Sequence, residues 1–478
     1  MKIKLLPKNE QELSKVFVFF TPLVILLAVS VNLLRDFYFL FSDALPHTRI
    51  FNYGVLDKIS NQASYNLLLV FLFVFATVYL LSKSIGRRLI LFPLFFLSCL
   101  GIVGFELIDI LLGIIFPNNL MLLGNSTFLL FFKILIILGL LGLIFLNLLA
   151  KKEASLFISS QFLIGSMIFY FLSLVIYRGD YVVIADNFFI NSLYISSHIY
   201  VGFSFVYLGI LFFLITKGIN ATLFSKTLSS ITFWGYLFLL PWTNYKFHYG
   251  SVLPNWIENV SLYLSLGLAI PLLSLLANYL KTVSTRDSEN LVIYELVNVS
   301  FLVFFITNIF QIVSSFSNLI PILSVTSFEG AIRYGYVYSL VLITIPFVYY
   351  LIPRIFGREI IYTKMETANS FLLRFVILLT LFINAIIGIN SGYAWNAGAN
   401  AGNPTIFGEG YLITWSLIST PYSINLFLSL LLLLGIFLFS ITTIRAISSG
   451  PITEILSLIH ISEPTRLRRI SYAVFCLK

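Results

Sequence analysis

The sequence predicts an all-α, polytopic membrane protein of about twelve transmembrane helices. Three observations carry this. Apolar residues make up 59% of the 478 positions and charged residues only 10%, against about 45–50% and about 25% in soluble globular chains. The apolar residues gather into separate runs of roughly 18–27 residues, the length that crosses a hydrocarbon core as a helix. The runs do not alternate with polar residues as the strands of a membrane barrel do. In lipid every backbone N–H and C=O must bond internally, so such a run is a helix.

The first span is Val16 to Leu34. Lys2, Lys4, Lys8 and Lys15 precede it, as basic residues precede a signal peptide, but the run is too long for one and no small-residue cleavage site follows. The next spans are expected at 64–82, 89–115 and 127–150, the last ended by Lys151 and Lys152. Then come 155–177, 190–216 (ended by Lys217), 227–245 and 259–280 (ended by Lys281). The last four are 292–318, 334–353, 368–390 and 423–444, with Arg354 and Arg445 closing the second and last of them. The third and ninth are long enough to tilt or to hold re-entrant structure. Between spans the longest connections are 35–63 and 391–422. The second contains SGYAWNAGANAGNPTIFGEGY, whose Gly and Asn predict an ordered loop of tight turns.

Basic residues set the orientation. One set of connections holds 17 Lys and Arg and the alternate set 6, the latter being Arg35, Arg49, Lys58, Arg178, Lys246 and Arg333. Positive charge stays on the cytoplasmic side, so both termini are expected in the cytoplasm of a bacterial inner membrane. The basic balance reflects those loops and implies no nucleic-acid partner; the partner it implies is the lipid bilayer. Cys99 lies inside an apolar run as packing, and no C-x-x-C-H is present for covalent haem.

The last residues stand apart. LSLIHISEPTR (456–466) and ISYAVFCLK (470–478) resemble translated sequencing-library adapters, with Leu467, Arg468 and Arg469 as the index between them. The tail 456–478 is therefore expected to be read-through and 1–455 a single transmembrane domain. Without the tail's four basic and one acidic residues, 29 and 20 become 25 and 19, a net charge of +6.

Charges inside a span are rare and mark cavities or partners, since each costs roughly 2.5–3.5 kcal/mol on insertion scales. Glu106 and Asp109, at i and i+3 in the third span, share one face. Lys133 lies in the fourth, Glu295 near the start of the ninth and Arg374 in the eleventh. Glu106, Asp109 and Lys133 form either a proton or ion path or an ion pair locking two neighbouring helices.

The richest stretch is His198 to Leu280. HIYVGF opens at His198, and TFWGYLFLLPWTNYKFHYGSVLPNWIENV occupies 232–260. This resembles subunit I of the C-type (cbb-type) haem-copper oxidases, with its H-x-x-V-G-F helix followed by H-F-W, H-H-L-H-Y and L-P-x-W. The resemblance continues at YGYVYSLVLITIPFVYYLIPRIFGRE (334–359), against the family's G-H-V-H helix and its L-V-P-R-x-x-G-R-E exit, and at Tyr53–Tyr79. It covers roughly 35–447. It implies a subunit I-like bundle of twelve spans.

The same resemblance implies a low-spin haem, a high-spin haem and a copper, and here the sequence departs from it. The low-spin haem positions fall on Ser60 and Tyr338, the high-spin haem position on Tyr336, and the copper positions on His198, Tyr245 and Lys246. The redox-active tyrosine falls on Leu239 and a glutamate near copper falls near Ser314. Imidazole holds these metals through a neutral lone pair, and only His198 keeps it. Serine is a poor haem ligand, and an ammonium repels copper. Tyr336 and Tyr338 point to opposite sides of one helix and are expected to fill the emptied haem space. No haem or copper is expected unless the ligation is altered, and His198 is expected to bond across helices. The expected function is non-catalytic: a structural or assembly role in a respiratory-type membrane complex with other subunits. The alternatives are a transporter or ion-conducting protein, and a redox protein with altered ligands.

Overall fold

The computed structural model describes residues 7, 9–41, 52–86, 88–115, 127–151, 157–176, 184–248, 253–285, 291–324, 326–360, 364–400 and 409–452. Twelve rods, α1 to α12, carry the fold. They are α1 (Glu10–Leu40), α2 (Tyr53–Ile85), α3 (Phe92–Ile115), α4 (Thr127–Leu149), α5 (Ile158–Ile176) and α6 (Phe188–Gly218). There follow α7 (Lys226–Leu239), α8 (Asn255–Val283), α9 (Leu291–Val313), α10 (Phe328–Phe356), α11 (Lys364–Asn400) and α12 (Glu409–Ser449). Among the described residues the only β pairing is an isolated bridge between Arg358 and Ile452.

Among the described residues, eleven rods are long and apolar enough to cross a membrane. The rod below that length is α7. It runs 14 residues and passes at Leu240–Trp242 into a 3-10 turn. Pro241 explains the stop, because proline gives no N–H to the ladder and crowds the preceding turn. A second 3-10 turn, Tyr245–His248, begins where the expected span 227–245 ends.

Burial sorts the rods into two shells. The apolar windows of α2, α6 and α10 are 89%, 94% and 94% buried, while those of α3 and α4 are 33% and 28% buried. Rods apolar on every side belong inside a bundle, and half-buried ones face lipid. The inner three hold four of the six candidate ligand positions: Ser60 on α2, His198 on α6, Tyr336 and Tyr338 on α10.

Several expected connections are helix. α1 continues to Leu40 and α2 starts at Tyr53, so Arg35 and Lys58 belong to rods and not to a loop at 35–63. α11 continues to Asn400 and α12 starts at Glu409, leaving only 401–408 of the predicted loop 391–422. Gly and Asn are weak helix formers, but tertiary packing overrides propensity. Gly388 and Gly392 show how: a Cβ would lie 2.6 Å from the backbone of Phe328 at Gly388, and would run into the Ile322 carbonyl oxygen at Gly392. Small residues four apart let two backbones touch. The ninth rod ends at Val313, five residues before the expected end, in turns through Leu319. The tail 456–478 lies outside the described residues.

Candidate functional site

The inner rods are not uniform α-helix. Gln62–Leu67 of α2 and Ile195–Val201 of α6 are wound as π-helix. Each extra residue in such a turn re-aims its neighbours, and π segments gather at functional sites. These two face each other. His198, in the second, approaches the carbonyl oxygen of Tyr65, in the first, at 3.2 Å through Nε2. A carbonyl only accepts, so Nε2 carries the hydrogen there. The other ring nitrogen, Nδ1, lies 3.2 Å from Ser173 Oγ, whose own hydroxyl donates to the Tyr170 carbonyl at 2.7 Å. Tyr194 stacks on the imidazole, centroids 5.1 Å apart and planes within 7°.

A polar cavity of about 370 Å³ opens between these segments, lined on α3, α4 and α5 by Glu106, Asp109, Lys133 and Tyr170. The structure brings the three predicted charges together. Lys133 Nζ lies 3.0 Å from Glu106 Oε1 and also donates to Asp109 Oδ2. Tyr170 donates to Glu106 Oε1 at 2.6 Å, and Gln62 Nε2 donates to Glu106 Oε2 at 2.8 Å and to Asp109 Oδ2 at 3.3 Å. The carboxylates and the amine are at most 7% exposed. Chemically the arrangement is a buried acid–base cluster beside room for water. Sequence reasoning missed Gln62 and Tyr170, which come from other rods. Gln62 lies in one of two polar patches that interrupt the apolar pattern, SNQASYN (60–66) and NSLYISSH (191–198), whereas Tyr170 sits among apolar residues and carried no such signal.

The low-spin haem positions hold a second cluster that sequence reasoning missed. Arg35 of α1 donates to Tyr334 Oη at 2.5 Å, to Asp36 at 2.6 Å and to Ser60 Oγ at 3.4 Å, and lies 3.5 Å from Asp57. Ser60 Oγ also donates to Asn32 Oδ1. Tyr334 stacks on Tyr338 at 5.8 Å. The space left there is about 90 Å³, while cofactor-sized pockets start near about 300 Å³. Tyr336, fully buried, packs on Tyr200 at 5.5 Å and Phe304 at 5.9 Å and lies 3.3 Å from Asn308 Oδ1.

The three copper positions do not converge. Tyr245 packs with Leu253 and Ile257 and against Phe189 in its own small core. Lys246, on the turn beyond α7 and outside the spans, donates to the Gln311 carbonyl and to Ser315 Oγ at 2.9 Å. Burial pushes its amine well below the ordinary lysine range. Leu239 packs against the core, and Ser314 Oγ donates to the Gln311 carbonyl at 3.0 Å. Among the described residues no three His, Cys, Asp or Glu side chains gather as metal ligands. This donor set does not fit the implied haems or copper. Both nitrogens of His198 are hydrogen-bonded to protein, Ser60 and Tyr338 belong to the Arg35 cluster, and Lys246 is spent on another rod.

No family model matches the sequence. The fold has a clear counterpart: a haem-copper terminal oxidase, solved as a dimer by cryo-EM, superposes with a TM-score of 0.72. The match covers 94% of this chain and 86% of that chain at 12% identity. The chain therefore has the haem-copper oxidase fold, an all-α membrane bundle whose apolar rods imply a lipid environment.

Proposed function

We propose that the chain is a haem- and copper-free relative of the C-type oxidase subunit I, with a structural or assembly role in a membrane complex. One observation carries the reading. The Arg35 cluster ties α1, α2 and α10 together where the resemblance puts the low-spin haem, through Ser60 and the Tyr334–Tyr338 stack. A prosthetic group ordinarily braces the rods that ligate it, and here a guanidinium with two carboxylates and a phenol supplies bonds between the same rods. Arginine suits this, because its planar fork serves several acceptors at once. The oxidase-like fold supports placement beside other membrane subunits.

The test is native purification after mild crosslinking, with oxygen consumption measured on the product. Co-purifying oxidase subunits, with no oxygen reduction by the chain alone, support the proposal. Oxygen reduction by the isolated chain would overturn the non-catalytic part. Recovery without any membrane partner would overturn the assembly part.

A further inference from the structure

At one wall of the polar cavity two carboxylates share a single cation. Glu106 and Asp109 meet one ammonium, Lys133, so one negative charge is left at that wall. The other titratable groups facing the cavity are Tyr65 and Lys58 on α2, Tyr170 on α5, Tyr194 and His198 on α6, and Arg333 on α10. Tyrosines bring no charge, and the two ring nitrogens of His198 meet Ser173 and the Tyr65 carbonyl and neither carboxylate. Arg333 is paired with Glu329 at 2.6 Å, and Lys58 lines the cavity half-buried without an ion pair to either carboxylate. In low dielectric two carboxylates sharing one cation cannot both keep their charge cheaply.

What relieves the excess follows from the oxygens. Both oxygens of Glu106 accept hydrogen bonds, from Tyr170, Lys133 and Gln62. Asp109 is 2% exposed, and its Oδ1 has no hydrogen-bond partner among the described residues. A metal cation fits poorly, since it needs several oxygens and Lys133 already occupies the space between the carboxylates. A proton needs one lone pair. We infer that Glu106, Asp109 and Lys133 form a binding site for one exchangeable proton, seated on Asp109 Oδ1 and exchanged with water in the cavity. On uptake hydronium in the cavity water gives up a proton, an O–H bond forms at Oδ1, and the carboxylate loses its charge. The proton belongs to the coupled pair, so altering either acid alters it. This inference does not rest on the haem-free reading, and a haem-loaded protein would leave it standing.

The test is infrared difference spectroscopy, acid minus alkaline, on the full chain in lipid nanodiscs. Wild type should show one protonated-carboxyl band that shifts in D₂O. Asp109→Asn and Glu106→Gln should each abolish it, because either leaves one carboxylate with one ammonium. Lys133→Gln should move it to higher pH, by at least about tenfold in proton affinity. A band that survives both acid substitutions belongs to another carboxyl and overturns the inference, as does a wild type without a band. If Lys133→Gln does not fold, the two acid variants, which keep size and hydrogen-bonding shape, still decide the question.

Discussion

Replacing Lys133 with methionine removes the cation that Glu106 and Asp109 share. The three side chains are 7%, 1% and 3% exposed, so cavity water can replace only part of what the lost partner supplied. Breaking a buried pair by removing one member costs about 3–5 kcal/mol, because an uncompensated charge stays behind. With two carboxylates on one amine, the upper end of that range applies. For a chain of this size that corresponds to a fall in Tm of roughly 3–10 °C. The orphaned carboxylates can escape by taking protons, so the deficit shrinks at low pH and grows as pH rises. The triple variant Lys133→Met, Glu106→Gln, Asp109→Asn removes every charge and should recover most of the loss, since an apolar or neutral replacement of a buried ion pair is often neutral. The assay is thermal unfolding of all variants in one detergent across pH. Arg374 with Glu295, at 2.7 Å but 17% and 35% exposed, is the control, and breaking it should cost about 1 kcal/mol or less. A Lys133→Met loss no larger than this control would refute the reasoning, as would a triple variant no better than the single.

Three further outcomes follow from the same physics. Arg35→Lys should lower thermal stability by about 1–3 kcal/mol, because a point charge cannot replace a fork that serves Tyr334, Asp36 and Ser60 together; an unchanged Tm would argue against that cluster as a brace. Gly392→Ala should cost about 1–3 kcal/mol, since its Cβ would meet the Ile322 carbonyl, while Gly142→Ala, with nothing within 4 Å, should gain up to about 1 kcal/mol; equal unfolding midpoints would contradict the close packing of α11. His248, outside the spans, has its ring held below the ordinary histidine range, chiefly by burial. Its folded form resists the proton that the unfolded chain accepts, so its contribution is complete above about pH 6.5 and is lost as pH falls further; His248→Gln should therefore lose less stability on acidification than wild type, and parallel Tm-versus-pH curves would contradict this.

What the sequence discloses follows the physics of the bilayer. Run length and charge rarity are enforced by lipid, so the rods and the Glu106, Asp109 and Lys133 positions could be read directly. The ends of rods were not legible, because they depend on contacts far along the chain. Gly392 looks like a turn residue until Ile322 is beside it. Arg35 looks like a loop residue until α1 continues to Leu40 and sets it beside Tyr334, 299 positions away. Pro241 was a local signal that α7 would stop early, and the span length outweighed it. The π segments had no periodic signature, only polar residues where apolar ones were expected. Both clusters draw side chains from several rods, so each acid could be named from sequence and its donors could not.

The measurement that bears most directly on the account is the haem and copper content of the purified chain, expressed in cells well supplied with both. The account predicts no pyridine haemochrome signal and no copper above background, because Ser60, Tyr338 and His198 are bonded to protein groups. One or two haems per chain, in whole-number stoichiometry, would contradict it.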